Sequence, residues 1–136
     1  MNNPILTPTG LVEAFNELQS SHHNMMVKQG FWDNRKLVRQ TFSHAPFTLG
    51  IVENAMDCQC MALIHTEVSE AVESIRHGSP PDDKIPEFSG PEAELADVFL
   101  RIMDVAQDRK WRVIEAVVAK IAMNAGREKM HGGKLF

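Results

Sequence analysis

The segment from Glu92 to Ala106 constrains the fold most, because nearly all of it is apolar except for one narrow stripe. At about 100° per residue its apolar side chains cover one broad helical face and extend most of the way round the helix. These are Leu95, Val98, Phe99, Ile102, Val105 and Ala106, extended by Ala96, Leu100 and Met103. A helix so nearly apolar should be buried. The remaining stripe carries three acids and one base, namely Glu94, Asp97, Arg101 and Asp104.

A second acidic segment lies upstream, where helical spacing places Glu67 and Glu70 on one edge of an apolar stripe and Glu73 roughly opposite. The stripe consists of Met61, Ile64, Val68, Ala71, Val72 and Ile75. If the two helices pack together, four carboxylates meet: Glu67, Glu70, Glu94 and Asp97. At about 4 Å and an effective dielectric near 20, each like-charge pair costs about 4 kcal/mol, against a whole-domain stability of roughly 5 to 15 kcal/mol. Something must therefore neutralise them, and hard oxygen ligands without a matching His or Cys set call for Mg²⁺ or Mn²⁺.

The rest of the chain predicts an all-α fold of about four substantial helices, with no strand pattern of useful length. Thr7-Pro8-Thr9 starts the first helix and Gly30 ends it. Further helices are expected over about 35–42, 51–77 and 111–127, besides the Glu92 segment. A Pro- and Gly-rich loop over 78–91 joins the two acidic helices, and Ser89 with Glu92 fits a capping box at the start of the second.

Composition bounds the class of protein. A chain of 136 residues, 43% of them hydrophobic, is expected to form one domain over residues 1–136. Its net charge of -4 argues against broad binding to nucleic acid. No apolar run approaches the 18 residues of a membrane span, and the N-terminal residues lack a secretion signal, so a soluble cytoplasmic protein is expected. The neighbouring His22 and His23 are expected to be exposed polar residues.

Two further groups of residues admit two interpretations each. Phe31 and Trp32 are either core side chains or a stacking wall for a planar base. Lys120, Asn124 and Arg127 share one helical face, which is either an ordinary solvated face or a strip that binds phosphates.

The acidic motifs resemble those of the MazG-like family of all-α nucleoside triphosphate pyrophosphohydrolases. The resemblance is based on Glu67-Val68-Ser69-Glu70 and Glu94-Leu95-Ala96-Asp97, which match the family's Glu-x-x-Glu and Glu-x-x-Asp motifs. The ending Lys120-x-x-x-Asn124-x-x-Arg127-x-x-x-His131-Gly132-Gly133-Lys134 is similar to that of small stand-alone members such as phage-type ones. Many members begin the first motif with two adjacent acids, whereas this chain has Thr66 before Glu67.

The resemblance implies Mg²⁺-dependent hydrolysis of a ribo- or deoxynucleoside triphosphate between the α and β phosphates. In that reading Glu67, Glu70, Glu94 and Asp97 hold metal and carry catalysis, while Arg101 and Asp104 orient them by hydrogen bonds. Substrate contacts would come from Lys120, Asn124, Arg127, Phe31, Trp32, His131 and Lys134. The family also implies a homo-oligomer, a tetramer in preference to a dimer. A nearly all-apolar helix with few partners in one chain independently favours a second subunit.

Three alternatives stay open at the level of sequence. The acids could pair with Arg and Lys across helix interfaces without any metal. The same fold could sense a nucleotide without cleaving it. Related all-α pyrophosphatases act on dUTP or phosphoribosyl-ATP, and metal motifs do not choose the base.

Overall fold

The computed structural model describes residues 8–126, which form five helices. In chain order these are α1 (Pro8–Lys28), α2 (Asp33–Thr41), α3 (Pro46–Arg76), α4 (Gly90–Arg109) and α5 (Val113–Ala125). The expected all-α class is confirmed, with five helices in the described part of the chain where about four were expected. Within residues 8–126 the β structure is limited to one isolated antiparallel bridge between Pro81 and Ser89.

Local sequence signals set the helix ends. Gly30, just after α1, has a φ of +87°, a conformation that glycine adopts without strain and that stops the helix. Helix α3 begins at Pro46 and not near Ile51, because proline is well suited to the first turn of a helix. The predicted capping box of α4 is present: the Ser89 backbone N–H and hydroxyl donate to Glu92 Oε2 at 2.8 and 2.6 Å.

Helices α3 and α4 run antiparallel and form the main packing contact of the fold. Their register follows from two pairings, Glu67 with Arg101 and Ser74 with Gly90. At Gly90 a side-chain carbon would collide with the Ser74 hydroxyl, so the absence of a side chain lets the helices approach closely where α4 begins. This register brings the two acidic motifs to the same level of the interface.

Helix α1 covers a second side of α4, α5 packs against α1, and α2 packs against α3. Two hydrogen bonds mark the α1–α4 contact: Gln19 Nε2 donates to Gln107 Oε1 at 2.9 Å, and His23 Nδ1 lies 2.6 Å from Asp104 Oδ1. Helix α4 is therefore the central element of the described fold.

The buried apolar core of the described residues is small and is formed by four residues of α4 and one of α3. Its buried apolar residues are Ala71, Ala93, Met103, Val105 and Ala106. The N-terminal half of α4 differs from the expectation of full burial, since Leu95 and Phe99 are 52% and 60% exposed in the single chain. Helix α3 also exposes a long apolar stripe that includes Ile51, Met61, Val68, Val72 and Ile75. No helix in the described residues is long and apolar enough to cross a membrane.

Candidate metal centre

Three of the four predicted ligands converge across the α3–α4 interface. Glu67 and Glu70 come from α3, Glu94 comes from the first turns of α4, and one carboxylate oxygen of each lies within 4.8 Å of the other two. Their exposure is graded, with Glu67 buried, Glu94 half-buried and Glu70 exposed. This acid cluster (Glu67, Glu70 and Glu94) is closed on the helix-packing side and open towards solvent.

Asp97, the fourth predicted ligand, lies beside the acid cluster but outside this tight group. It follows Glu94 by three residues on α4 and is exposed. Its negative charge contributes to raising the pKa of Glu94, so it is within electrostatic range of the cluster. An exposed aspartate at this position can turn towards a cation held by the other three acids.

The electrostatics of the acid cluster show an excess of negative charge. The pKa of Glu94 is raised, first by burial and then by the charges of Glu70 and Glu67, with further contributions from a hydrogen bond with Glu67 and the charge of Asp97. Like charges and low solvation both disfavour a carboxylate anion. The cluster therefore holds its negative charge at a cost, which a bound cation would remove.

Arg101 supplies a positive charge at one edge of the cluster. Its Nε and Nη2 both lie 2.5 Å from the same oxygen, Oε1 of Glu67. The side chain of Arg101 is 43% exposed, whereas that of Glu67 is 7% exposed. Arg101 therefore contacts one of the acids expected to hold metal, and its role in orienting that acid stays a prediction.

Asp104 was expected to orient the clustered acids, but its hydrogen bonds are with Trp32 and His23. Both of its carboxylate oxygens accept from Trp32 Nε1 at 3.0 Å, and Oδ1 lies 2.6 Å from His23 Nδ1. The expectation that His23 is an exposed polar residue is wrong, because its side chain is only 14% exposed and packs edge-on against Trp32 with ring centroids 5.0 Å apart. The periodic pattern could not show this, since the partners lie 72 and 81 residues apart along the chain.

A pocket of about 250 Å³ opens beside Arg101 and Asp104. Among its lining residues are Phe31, Trp32, Asn34, Gln59, Leu63 and Val105. Trp32 is fixed on several sides: Asp104 holds its N–H, His23 packs on it, and the buried Arg35 guanidinium lies 5.2 Å from the ring centroid. Phe31, by contrast, is 69% exposed. Trp32 is thus a packed side chain that also lines the pocket, and its role as a stacking wall for a planar base stays a prediction.

The predicted substrate residues on the last helix are not joined to the acid cluster by any described contact. Lys120 and Asn124 are exposed on α5. Within residues 8–126 no hydrogen bond or ion pair connects either side chain with Glu67, Glu70 or Glu94. Three further predicted substrate residues, Arg127, His131 and Lys134, lie outside the described residues.

An ionic network between α2, α3 and the end of α4 was not predicted. Three arginines face three acids: Arg35, Arg39 and Arg109 with Glu53, Asp57 and Asp108. Arg35 is 2% exposed and reaches Asp57 at 2.7 Å and Asp108 at 3.3 Å, and Arg39 binds both oxygens of Asp108 at 2.7 Å. A signal was available, because Arg35 and Arg39 share the i, i+4 spacing of Glu53 and Asp57.

The network sets the charge of Asp108 and leaves one arginine nitrogen imperfectly paired. Burial opposes ionisation of Asp108, yet the Arg39 hydrogen bond and the charges of Arg39 and Arg35 together lower its pKa. Arg109 Nε lies 3.0 Å from Asp57 Oδ2 but has no hydrogen-bond partner in the described part of the chain, so this contact is an ion pair without a hydrogen bond. With three positive and three negative groups, the network is compensated internally, unlike the acid cluster.

The acid cluster has the donor chemistry of a Mg²⁺ or Mn²⁺ site. The cluster offers carboxylate oxygens, which hard divalent cations prefer, and among the described contacts its three acids meet one arginine, Arg101, whereas the ionic network sets three arginines against three acids. Comparisons of the chain with protein-family models, with curated proteins and with solved structures found no match.

Proposed function

We propose that this chain is a Mg²⁺-dependent nucleoside triphosphate pyrophosphohydrolase that releases a nucleoside monophosphate and pyrophosphate. The observation that carries the proposal is the convergence of Glu67, Glu70 and Glu94 from two antiparallel helices, with a raised pKa at Glu94. A single Glu-x-x-Glu stretch on a helix is usually a solvated face. Two such motifs meeting at one level of a packed interface need a cation, which favours a metal site.

The acids would have different roles in such a site. Glu67, Glu70 and Glu94 would hold the metal, with Asp97 turning in from the next turn of α4. When bound, Mg²⁺ supplies positive charge for phosphate oxygens and acidifies the attacking water. A carboxylate oxygen that does not bind metal accepts the proton of that water. The burial of Glu67 fixes the floor of the site, while the exposure of Glu70 and Asp97 leaves access for the substrate.

The pocket beside the acid cluster suits the planar base of a nucleotide. Trp32 is held in one orientation before any ligand arrives, because Asp104 accepts its N–H and Arg35 lies near its ring. A fixed aromatic wall stacks on a base with little loss of side-chain entropy. Asn34 and Gln59 line the same pocket and carry the amide groups that can hydrogen-bond a base edge. Arg101 lines the pocket and also contacts Glu67 of the acid cluster, so the pocket and the cluster lie side by side.

We further propose that the working unit is a homo-oligomer in the cytoplasm, a tetramer in preference to a dimer. The support is the large apolar surface that the single chain leaves exposed on α3 and α4, including Val68, Val72, Leu95 and Phe99. Lys120, Asn124, Arg127, His131 and Lys134 stay predictions as phosphate or sugar contacts, and in an oligomer they could serve the site of a neighbouring copy.

The experiment is an assay of ribo- and deoxynucleoside triphosphates, with dUTP and phosphoribosyl-ATP included, at saturating Mg²⁺. Separation of the products by ion-exchange chromatography should show monophosphate and pyrophosphate in equal amounts. Release of orthophosphate and a diphosphate would place cleavage at another bond and contradict the proposal. The rank order within the panel chooses between a general activity and the dUTP or phosphoribosyl-ATP alternatives.

A second candidate is a nucleotide-sensing module of the same fold without turnover. The observation that favours it is the pocket lined by Trp32, Asn34 and Gln59, since a pocket for a base serves recognition whether or not the phosphates are cleaved. Equilibrium dialysis with labelled nucleotide and Mg²⁺ distinguishes the two. Stoichiometric binding with no pyrophosphate after many hours would support the sensor.

A further inference from the structure

Arg101 forms an ion pair with Glu67, the one buried ligand of the proposed metal site. Glu67 is the most enclosed of the three clustered acids, and both nitrogens of Arg101 that contact it share the single oxygen Oε1. A fork-to-fork pair between an arginine and a carboxylate would use two oxygens. Both contacts of the guanidinium end on Oε1, so the pair does not have the fork-to-fork arrangement.

The two partners differ in their freedom to move. Glu67 is enclosed in the α3–α4 interface with 7% of its side chain exposed, whereas 43% of the Arg101 side chain is exposed. Arg101 can therefore leave without opening the core, and Glu67 cannot. Arg101 also lines the pocket, together with Trp32 and Asp104. A guanidinium released from Glu67 can therefore lie against the wall of that pocket.

We propose that Arg101 is the resident counter-ion of the acid cluster, which a divalent cation displaces from Glu67, and that the released guanidinium then binds phosphate oxygens of the substrate. This inference rests on the proposed function, because it takes the acid cluster to be a metal site. It changes the role expected for Arg101 from an orienting group, which strengthens metal binding, to a competing cation, which weakens it. The sign of its effect on metal affinity separates the two roles.

In this proposal the position of the Arg101 side chain depends on whether metal is bound. Without metal, Arg101 limits the repulsion between Glu67 and its neighbours and keeps the helices packed. With metal in place the same positive charge is no longer needed there and can face the pocket, where it meets an anionic ligand. Metal binding and phosphate binding would then favour each other.

The test uses Mn²⁺ as the probe, titrated into the full chain and followed by the electron paramagnetic resonance of free Mn²⁺. Arg101→Gln should bind Mn²⁺ about three- to tenfold more tightly than the wild type, because a competing cation on a partly buried acid is gone. Arg101→Lys keeps the charge and should stay close to the wild type. Arg76→Gln is the matched control, since it removes the same charge from an exposed pair with Glu73. Circular dichroism of each variant verifies that the helices are intact.

The second measurement is calorimetric binding of inorganic pyrophosphate at saturating Mn²⁺, where Arg101→Gln should bind several-fold more weakly than Arg76→Gln. Weaker Mn²⁺ binding by Arg101→Gln, or Mn²⁺ binding equal to that of Arg76→Gln, would overturn the inference and leave the metal site standing. Unchanged pyrophosphate binding would overturn the released role. A wild-type chain that binds no Mn²⁺, or a Glu70→Gln chain that binds it as well as the wild type, would instead overturn the proposed function.

Discussion

Glu67 and Glu94 face each other across the α3–α4 interface with carboxylate oxygens within 4.8 Å, and the charge of Glu67 helps to raise the pKa of Glu94. If the interface served packing alone, two acids from different helices that disfavour each other's ionisation would only destabilise it. Their presence in the best-packed contact of the fold is the physical reason for assigning a cation to it.

The stability of the metal-free protein should rise when Glu94 is neutralised. Because the folded-state pKa of Glu94 is raised above its ordinary value of 4.5, its contribution to stability is greatest below that value and is lost as pH rises through the folded pKa. In EDTA at pH 7.5, Glu94→Gln should therefore melt about 2 to 6 °C above the wild type, measured by circular dichroism. At pH 4 the two should converge. A lower melting temperature for Glu94→Gln in EDTA would contradict the excess negative charge inferred for the cluster.

Saturating Mg²⁺ should reverse that order. A ligand present at about 100-fold its dissociation constant adds about 2.7 kcal/mol to the free energy of unfolding, which raises the melting temperature by several degrees. The wild type should gain this shift, and Glu94→Gln should gain little of it because a ligand is lost. Equal shifts in both proteins would show that Mg²⁺ binds elsewhere.

Turnover should depend on the acids of the cluster and not on acidic residues in general. Glu70→Gln and Asp97→Asn should each lower kcat about 100-fold or more while the helices stay intact, since a metal ligand is lost. Glu73→Gln is the matched control, because Glu73 lies three residues beyond Glu70 on α3 and is exposed with Arg76 as its partner. EDTA should abolish activity, and Mg²⁺ or Mn²⁺ should restore it. Full activity in Glu70→Gln would end the assignment.

Trp32 should affect substrate binding more than the chemical step. Loss of a stacking wall costs about 1 to 3 kcal/mol per base, so Trp32→Ala should raise KM about tenfold or more with a smaller change in kcat. Trp111→Ala is the control, because Trp111 is 42% exposed and does not line the pocket. In a Trp111→Phe background, nucleotide should also quench the remaining fluorescence of Trp32. An unchanged KM in Trp32→Ala would make Trp32 a packing residue only.

The ionic network should be essential for stability although it takes no part in the proposed reaction. Arg35→Ala leaves Asp57 and Asp108 without their buried partner, which should cost about 3 to 5 kcal/mol in urea unfolding. Arg112→Ala, which removes an exposed pair with Glu115, should cost under about 1 kcal/mol. Because the pKa of Asp108 is lowered in the fold, its stabilising contribution is present above its ordinary pKa and is lost as pH falls through the folded value. Equal losses in the two variants would contradict the network's role.

Local sequence signals predicted much of the fold and the centre of the site. Helical periodicity located the long helices, and the Ser89–Glu92 capping box was found by its spacing alone. The convergence of Glu67, Glu70 and Glu94 was predicted on the condition that the two acidic helices pack together, although much of the apolar stripe of each helix is exposed in the single chain. Each of these predictions depends on residues close together in sequence or on one pair of faces.

The features that sequence did not reveal depend on contacts between distant segments. Asp104 lies on the predicted acidic stripe, yet it pairs with Trp32 and His23 from other parts of the chain. The spacing of Arg35 and Arg39 showed that they share a face but not that Asp108, about 70 residues later, would meet both. Periodicity identifies which face of a helix is special, and the packing of the whole chain decides what that face meets.

The exposed apolar side chains of α3 and α4 are the support for the proposed oligomer. Leu95 and Phe99 on α4 are 52% and 60% exposed, and Val72 and Ile75 on α3 are 52% and 59% exposed. The buried apolar residues within 8–126 are few and mostly small. Exposed apolar patches are typical of interaction surfaces, and in the proposed oligomer a symmetric pairing of copies would cover the same face on each.

Light scattering at micromolar concentration should therefore give a mass of about 61 kDa, or about 31 kDa for a dimer, from a chain of 15.3 kDa. Phe99→Glu should lower that mass, because a charge at an exposed position is harmless in a monomer but is left unpaired when a second copy covers it. Phe88→Glu provides the control, since Phe88 is 48% exposed in the loop before α4 and lies off the apolar faces of α3 and α4. Dissociation of Phe99→Glu together with loss of activity would show that the site needs the partner copy. A wild-type mass near 15.3 kDa with full activity would refute the oligomer.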